Sequence, residues 1–305
     1  MVSSIIFLAT LLVGASTISA SPALASRAGV TSMTPQEIDA YTIYAKFARA
    51  ASCSPAKLNT WSCGTACTDL PGMDVKATGG GILLGVGWYV GYYPPLNTIV
   101  LSNRETGGFL SGVLDAVSVL APLNPQRFPG IPNNVQVHLG FQTNQAVSAE
   151  AKLAAVQSLL DKYEAQSPSI TFTGLGDGGA IALIDALYHS TRVPTTTTIK
   201  VVTHGMPRVG DQAFADYVDN NLNDVSRITN MKDIVPITPG RNLGFLHSSG
   251  EKHIVAAGSW VACAGQDNTD ALCIAGAVGD ILAGEMSDHR GPYEGIMIDN
   301  VACDA

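Results

Sequence analysis

Three parts of this chain carry side-chain types and spacings that could do chemistry. The first is Thr173-Gly174-Leu175-Gly176-Asp177-Gly178-Gly179-Ala180, a glycine cluster that follows an apolar run and opens a helical pattern. A sharp strand-to-helix turn needs residues without a Cβ, for unusual dihedrals and for close backbone packing. Three readings compete. Gly174-x-Gly176-x-x-Gly179 matches the spelling of a phosphate cradle, but no acidic residue ends the next strand, which runs into His204-Gly205. A purely structural turn is the second. The third is an elbow that presents its middle residue above a sheet for nucleophilic attack. The other two parts lie downstream, an acid at Asp233 and a histidine at His289.

The elements needed to position these residues are legible. Thr34-Pro35-Gln36-Glu37 reads as a capping box with proline in the first turn, and the helix after it places Ile38, Tyr41, Ala45 and Ala48 on one face. Val86–Tyr93 and Thr98–Ser102 read as a hairpin around Pro94-Pro95-Leu96-Asn97, and Val135–Phe141 as a further strand. Residues 148–166 read as an amphipathic helix. Strands at 170–173, 198–203 and 226–230 then alternate with helices at 180–188 and 212–221. That alternation predicts an α/β fold with a doubly wound, mainly parallel sheet. Neither a repeat nor a linker divides the chain, so one domain is expected over residues 33–305, after a loose leader at 21–32.

Residues 1–20 carry no charged side chain, and Ile5 to Ala15 form an apolar stretch too short to span a bilayer. With small residues at Ile18-Ser19-Ala20 and again at Ala23-Leu24-Ala25, this reads as a cleaved secretory signal and predicts an extracellular protein. The stretch from Gly79 to Leu101 is broken by glycines and a Pro-Pro pair, so no transmembrane segment is expected. Six cysteines, at 53, 63, 67, 263, 273 and 303, suit three disulfides in that compartment, with fifteen possible connectivities. Zinc is the rival reading. Cys63 and Cys67 are close enough to share an ion, but no second close Cys/His pair completes a site, so neither metal nor cofactor is expected. The chain is 46% hydrophobic and 14% charged, with 17 Lys+Arg against 25 Asp+Glu. This composition excludes intrinsic disorder, and the acidic balance without a basic run excludes a nucleic-acid partner.

The motifs together resemble those of the fungal class 3 lipases, the secreted triacylglycerol lipase and feruloyl esterase type, over most of residues 33–303. The family's T-G-H-S-L-G-G-A stands here as Thr173 to Ala180. Its G-x-P-R-V-G-x-x-x-F-A is intact from Gly205 to Ala215, and its N-x-x-D-I-V-P-x-x-P runs from Asn230 to Pro239, followed by Gly244-Phe245-Leu246-His247. Its D-H-x-x-Y-x-G-I runs from Asp288 to Ile296, and Val137-His138-Leu139-Gly140-Phe141 and Trp61 to Cys67 also fit.

The resemblance implies an α/β-hydrolase fold in which a serine attacks an ester, a histidine takes its proton and an aspartate orients the histidine. It assigns the acid to Asp233 and the base to His289, and gives His247 a structural position. It places the nucleophile at Gly176, which has no side chain. His and Leu of the family elbow have become Leu175 and Asp177, and the oxyanion segment F-R-G-S/T has become Asn103-Arg104-Glu105-Thr106, keeping a hydroxyl at Thr106 but losing the phenylalanine and the glycine. Thr106 and Asp177 are thus the residues expected at the oxyanion site, where an Asp177 carboxylate would oppose a developing negative charge. Loss of the nucleophile costs a serine hydrolase about 10⁶ in turnover. The expectation is a lipase-family protein of impaired catalysis that binds a lipid or an ester-containing small molecule, with the apolar segment 109–123, which could hold a short helix, as a lipid contact. The alternative is an active ester hydrolase using Asp177 or a water held by His289. By the family pattern the disulfides are Cys53–Cys303, Cys63–Cys67 and Cys263–Cys273.

Overall fold

The computed structural model describes residues 29–81, 85–106 and 118–304. The expected signal at 1–20 and most of the apolar segment, 109–117, lie outside these residues. A sheet of nine strands dominates. In chain order they are β1 (Val30–Ser32), β2 (Asp74–Gly79), β3 (Trp88–Tyr93), β4 (Thr98–Asn103), β7 (Ser169–Leu175), β8 (Ile199–His204), β9 (Val225–Asn230), β10 (Glu251–Ala256) and β11 (Ser259–Cys263). The short strands β5 (Leu120–Pro122) and β6 (Gln136–His138) pair separately.

The order across the large sheet is β1-β11-β10-β9-β8-β7-β4-β3-β2. From β4 to β10 all neighbours are parallel, and both edges are antiparallel. Except for β1, the strands follow one another across the sheet in chain order. Right-handed crossovers therefore put the connecting helices on one face. These are α4 (Leu139–Lys162), α5 (Asp177–Ser190) and α6 (Gln212–Asn221), preceded in the chain by α1 (Pro35–Ala51) and the short α2 (Pro55–Asn59) and α3 (Gly64–Thr68). The chain passes from β1 at one edge to β2 at the other, and α1 makes that passage across the opposite face.

Side-chain alternation along the strands feeds both layers. Ile170 and Phe172 of β7 and Val201 of β8 join Leu183, Leu187 and Val156 in the core beneath α4 and α5. Leu175 and Val202 point the other way, onto Ile38, Ala45 and Ala48 of α1. The capping box at Thr34 forms as its sequence predicts, with Thr34 and Glu37 exchanging backbone and side-chain hydrogen bonds. The cysteines pair as Cys53–Cys303, Cys63–Cys67 and Cys263–Cys273. Glu251 lies beside Cys263 and Cys273, but these two sulfurs are bonded to each other rather than free to hold an ion.

Three expectations are corrected. Residues 30–32 are not a loose leader: Val30 is buried and β1 pairs with β11, so the folded unit includes them. The strand expected at 135–141 stops at His138, whose ring Nδ1 accepts from Gly140 N, and α4 starts at Leu139. At the end of the 109–123 segment, Leu120–Pro122 is a strand rather than helix.

Candidate active site

The elbow forms at the carboxyl end of β7. Gly176 has φ +56° and ψ −127°, a conformation in which an L side chain is strained, and its N–H donates to His204 O over 2.9 Å. Helix α5 starts at the next residue and presses on β4, so that a Cβ on Gly178 would lie 2.5 Å from Asn103 O. The glycine cluster is therefore a strand-to-helix elbow, with Gly176 at its apex.

His289 is brought to this apex by the turn at Met286–Arg290. The turn is tied to the end of β9 and the loop after it: Asn230 Nδ2 donates to Asp288 O over 2.8 Å and Lys232 N to Asp288 Oδ2 over 2.9 Å. Tyr293 OH donates to His289 O over 2.9 Å and fixes the turn from below. Asp233, in the loop after β9, takes Val235 N on Oδ1 and His289 Nδ1 on Oδ2, the latter over 2.9 Å. Asp233 and His289 are both fully buried. The two residues singled out far apart in the sequence thus meet beside Gly176.

The other ring nitrogen of His289 is also engaged. Nε2 donates to Glu105 Oε1 over 3.0 Å, on the side where a hydroxyl on the elbow would donate to it. Arg290 Nη2 lies 3.4 Å from the second oxygen of Glu105. In the sequence Glu105 stands out only as a missing glycine. Nothing in its spacing shows that 184 residues of chain fold back to place it on His289.

Electrostatics follow from this clamp. Burial pulls the His289 pKa down, but the Asp233 carboxylate and then Glu105 outweigh it and raise the value to about 9. The ring is an imidazolium at neutral pH. Burial alone would raise Glu105, yet the hydrogen bond and charge of His289, helped by Arg290, hold it below the usual range. For Asp233 burial prevails and its carboxyl is shifted upward, against the pull of His289.

Thr106 and Asp177, the pair expected at the oxyanion site, are in contact with each other. Thr106 N donates to Asp177 Oδ1 over 2.9 Å, and the hydroxyl of Thr106 donates to Oδ2. Asp177 is buried, which raises its pKa to about 6 in spite of these bonds, with the charge of Glu105 adding to the rise. Its carboxylate is therefore bound to Thr106, while both nitrogens of His289 go to other acids. A cavity of about 270 Å³ reaches Glu105 and Thr106 from the side of Arg104, Arg290 and Asn300. His247, given a structural role, keeps one: its Nε2 is 2.8 Å from Pro236 O, and its N–H donates to Asp267, which also binds Arg208 through two nitrogens.

A family model described as lipase (class 3) matches residues 102–243. Lipases of Rhizopus niveus and Rhizomucor miehei are each 29% identical over 228 residues, taking in 74% and 73% of this chain and 56% and 60% of theirs. The chain therefore spans little more than half the length of these curated relatives. A secreted mono- and diacylglycerol lipase of Malassezia globosa is 29% identical over 188 residues, 60% of this chain and 58% of that one. Among solved structures, lipase II from Rhizopus niveus superposes with a TM-score of 0.78 at 26% identity, covering 89% of this chain and all of that one. Rhizomucor miehei triacylglyceride lipase gives 0.77 at 25%, covering 88% and 98%.

Proposed function

Because the chain belongs to the class 3 lipase family, with the α/β-hydrolase fold of the fungal lipases, we propose that it is a secreted member impaired in ester hydrolysis that binds a lipid or another ester-containing small molecule. One observation carries this reading: a carboxylate, Glu105, sits on Nε2 of His289 while the elbow apex is Gly176. In an ester hydrolase built on this plan, Asp233 would orient His289, and Nε2 would take the proton of the attacking group. Here that nitrogen carries a proton at neutral pH and donates it to Glu105, so it is not a base for a hydroxyl or for a water. The route through Asp177 fares no better. Its oxygens are held by Thr106, and the hydroxyl and amide that would stabilise an oxyanion are already spent on a carboxylate. Secretion is supported by the uncharged apolar N-terminus, the three disulfides and the secreted relative from Malassezia.

The test is turnover of p-nitrophenyl esters and of triglyceride, alongside binding of triglyceride emulsion and of phosphatidylcholine vesicles. The reading expects binding without turnover above that of His289→Ala. Ordinary lipase rates that His289→Ala abolishes would overturn it.

A further inference from the structure

The loss at Gly176 and the gain at Glu105 share one volume. A Cβ on Gly176 would lie 2.9 Å from Nε2 of His289, 3.3 Å from Oε1 of Glu105 and 3.4 Å from its Cγ. A serine adds an oxygen beyond that Cβ, into space the carboxylate and ring already fill. The carboxylate is not free to withdraw. His289 and Arg290 hold its two oxygens, and the next residue, Thr106, is fixed through both its amide and its hydroxyl. Only 11% of the Glu105 side chain is exposed.

We propose that Glu105 is a built-in occupant of the nucleophile's place, an autoinhibitory contact that takes the hydrogen bond to His289 and requires glycine at position 176. The inference rests on the reading above and goes further. The site is closed by mutually dependent residues, so a hydroxyl restored at the elbow does not restore the site. Glu105 becomes the partner of Nε2 in place of the missing serine, accepting from the ring where the serine would donate to it, and Gly176 supplies the room Glu105 needs. Asp177 completes the closure by satisfying the donors on Thr106.

A thermal cycle of Gly176→Ser, Glu105→Gly and the double variant tests the shared volume. Gly176→Ser should lower Tm more when Glu105 is present than in the Glu105→Gly background; equal losses overturn the proposal. An NMR titration of His289 in the wild-type chain and in the near-isosteric Glu105→Gln variant reads the contact without a new cavity. The imidazole midpoint should fall in the variant, and an unchanged midpoint overturns the proposal. Hydroxyl reactivity is read in an Asp177→Leu background, where Thr106 is released, with a fluorophosphonate. The introduced hydroxyl bonds to phosphorus, fluoride leaves, and the hydroxyl proton passes to Nε2. Gly176→Ser with Glu105→Gly should label at least about tenfold faster than Gly176→Ser alone, a barrier difference of about 1.4 kcal/mol. Equal labelling overturns the proposal. Ester turnover by the wild-type chain would instead sink the functional reading, and the thermal cycle and titration do not depend on it.

Discussion

The carboxylate of Asp177 binds the amide and the hydroxyl of Thr106 together, the amide over 2.9 Å. Both donors face a charge that belongs to the chain itself. A carboxylate so placed has the geometry of a bound oxyanion, yet it is present before any substrate arrives. The segment 105–106 and the first residue of α5 are thereby joined across the site.

This contact has a price in ionisation that pH can expose. The folded pKa of Asp177 is about 6, above its ordinary 3.8, because burial disfavours the charge. A raised acid contributes stability that is fully present below the unfolded value and is lost as pH rises through the folded one. The loss for two units is about 3 kcal/mol. Asp177→Asn keeps an acceptor for Thr106 and removes the ionisation. Between about pH 4 and 7 its urea-derived stability should therefore fall less than that of the wild-type chain. Parallel pH profiles would show that Asp177 is not ionised at a cost in the folded state.

His289 behaves in the opposite sense. Its folded pKa of about 9 lies above the ordinary 6.5, so its contribution is complete below 6.5 and is lost as pH climbs through 9. Asp233, Glu105, Arg290, Tyr293 and Asp288 face this ring or its turn. Asp233 supplies the larger share of the rise. Asp233→Asn should lower the imidazole midpoint further than Glu105→Gln does, as followed by NMR of the ring protons. The reverse order would mean that Glu105, rather than Asp233, is the principal partner of the charge.

What the sequence made legible, and what it hid, divides along local and long-range physics. The capping box at Thr34 and the helix Gln212–Asn221 are written in neighbouring residues, and both form where their pattern puts them. The parallel sheet follows from alternating elements. Strands β10 and β11 lie outside that alternation and are joined by a tight turn at Gly258, with φ +69°. Glu105 was hidden for a different reason. Its role depends on a partner 184 residues away, and only its standing where the family has glycine hinted that the two changes belong together. Lys152 is a third case: helical periodicity gives no sign that a lysine at this position is buried.

That lysine yields a prediction of its own. Lys152 Nζ, on α4, lies 2.8 Å from Asp185 Oδ2, on α5, with both side chains inaccessible. Asn103 and Gln145 donate to the same carboxylate over 3.1 and 3.0 Å. Burial depresses the Lys152 pKa, and Asp185 opposes that. Asp185→Ala leaves three donors and a buried charge without an acceptor, and should cost about 3–5 kcal/mol in urea unfolding. Lys152→Met with Asp185→Leu removes both charges and should cost less than Asp185→Ala alone. Because Asn103 ends the strand that leads to Glu105, the single variant should also loosen the Glu105 contact, visible as a lower His289 midpoint.

The disulfides offer a contrast in which chain length alone changes by a large factor. Cys53–Cys303 joins residues 250 apart, whereas Cys63–Cys67 spans 4. Restricting the unfolded chain by such closures stabilises the fold by about 5–6 and about 2 kcal/mol respectively. The long closure also holds the C-terminal turn against α2: Lys57 Nζ donates to Cys303 O over 3.0 Å and pairs with Asp304. All four cysteines are buried in one cluster with Phe47 and Tyr89, so replacing either pair disturbs packing and the difference between the pairs lies in the crosslink. Cys53→Ala with Cys303→Ala should therefore lower the denaturation midpoint considerably more than Cys63→Ala with Cys67→Ala. Equal losses would mean that local packing, and not the length of chain closed, sets what these bonds contribute.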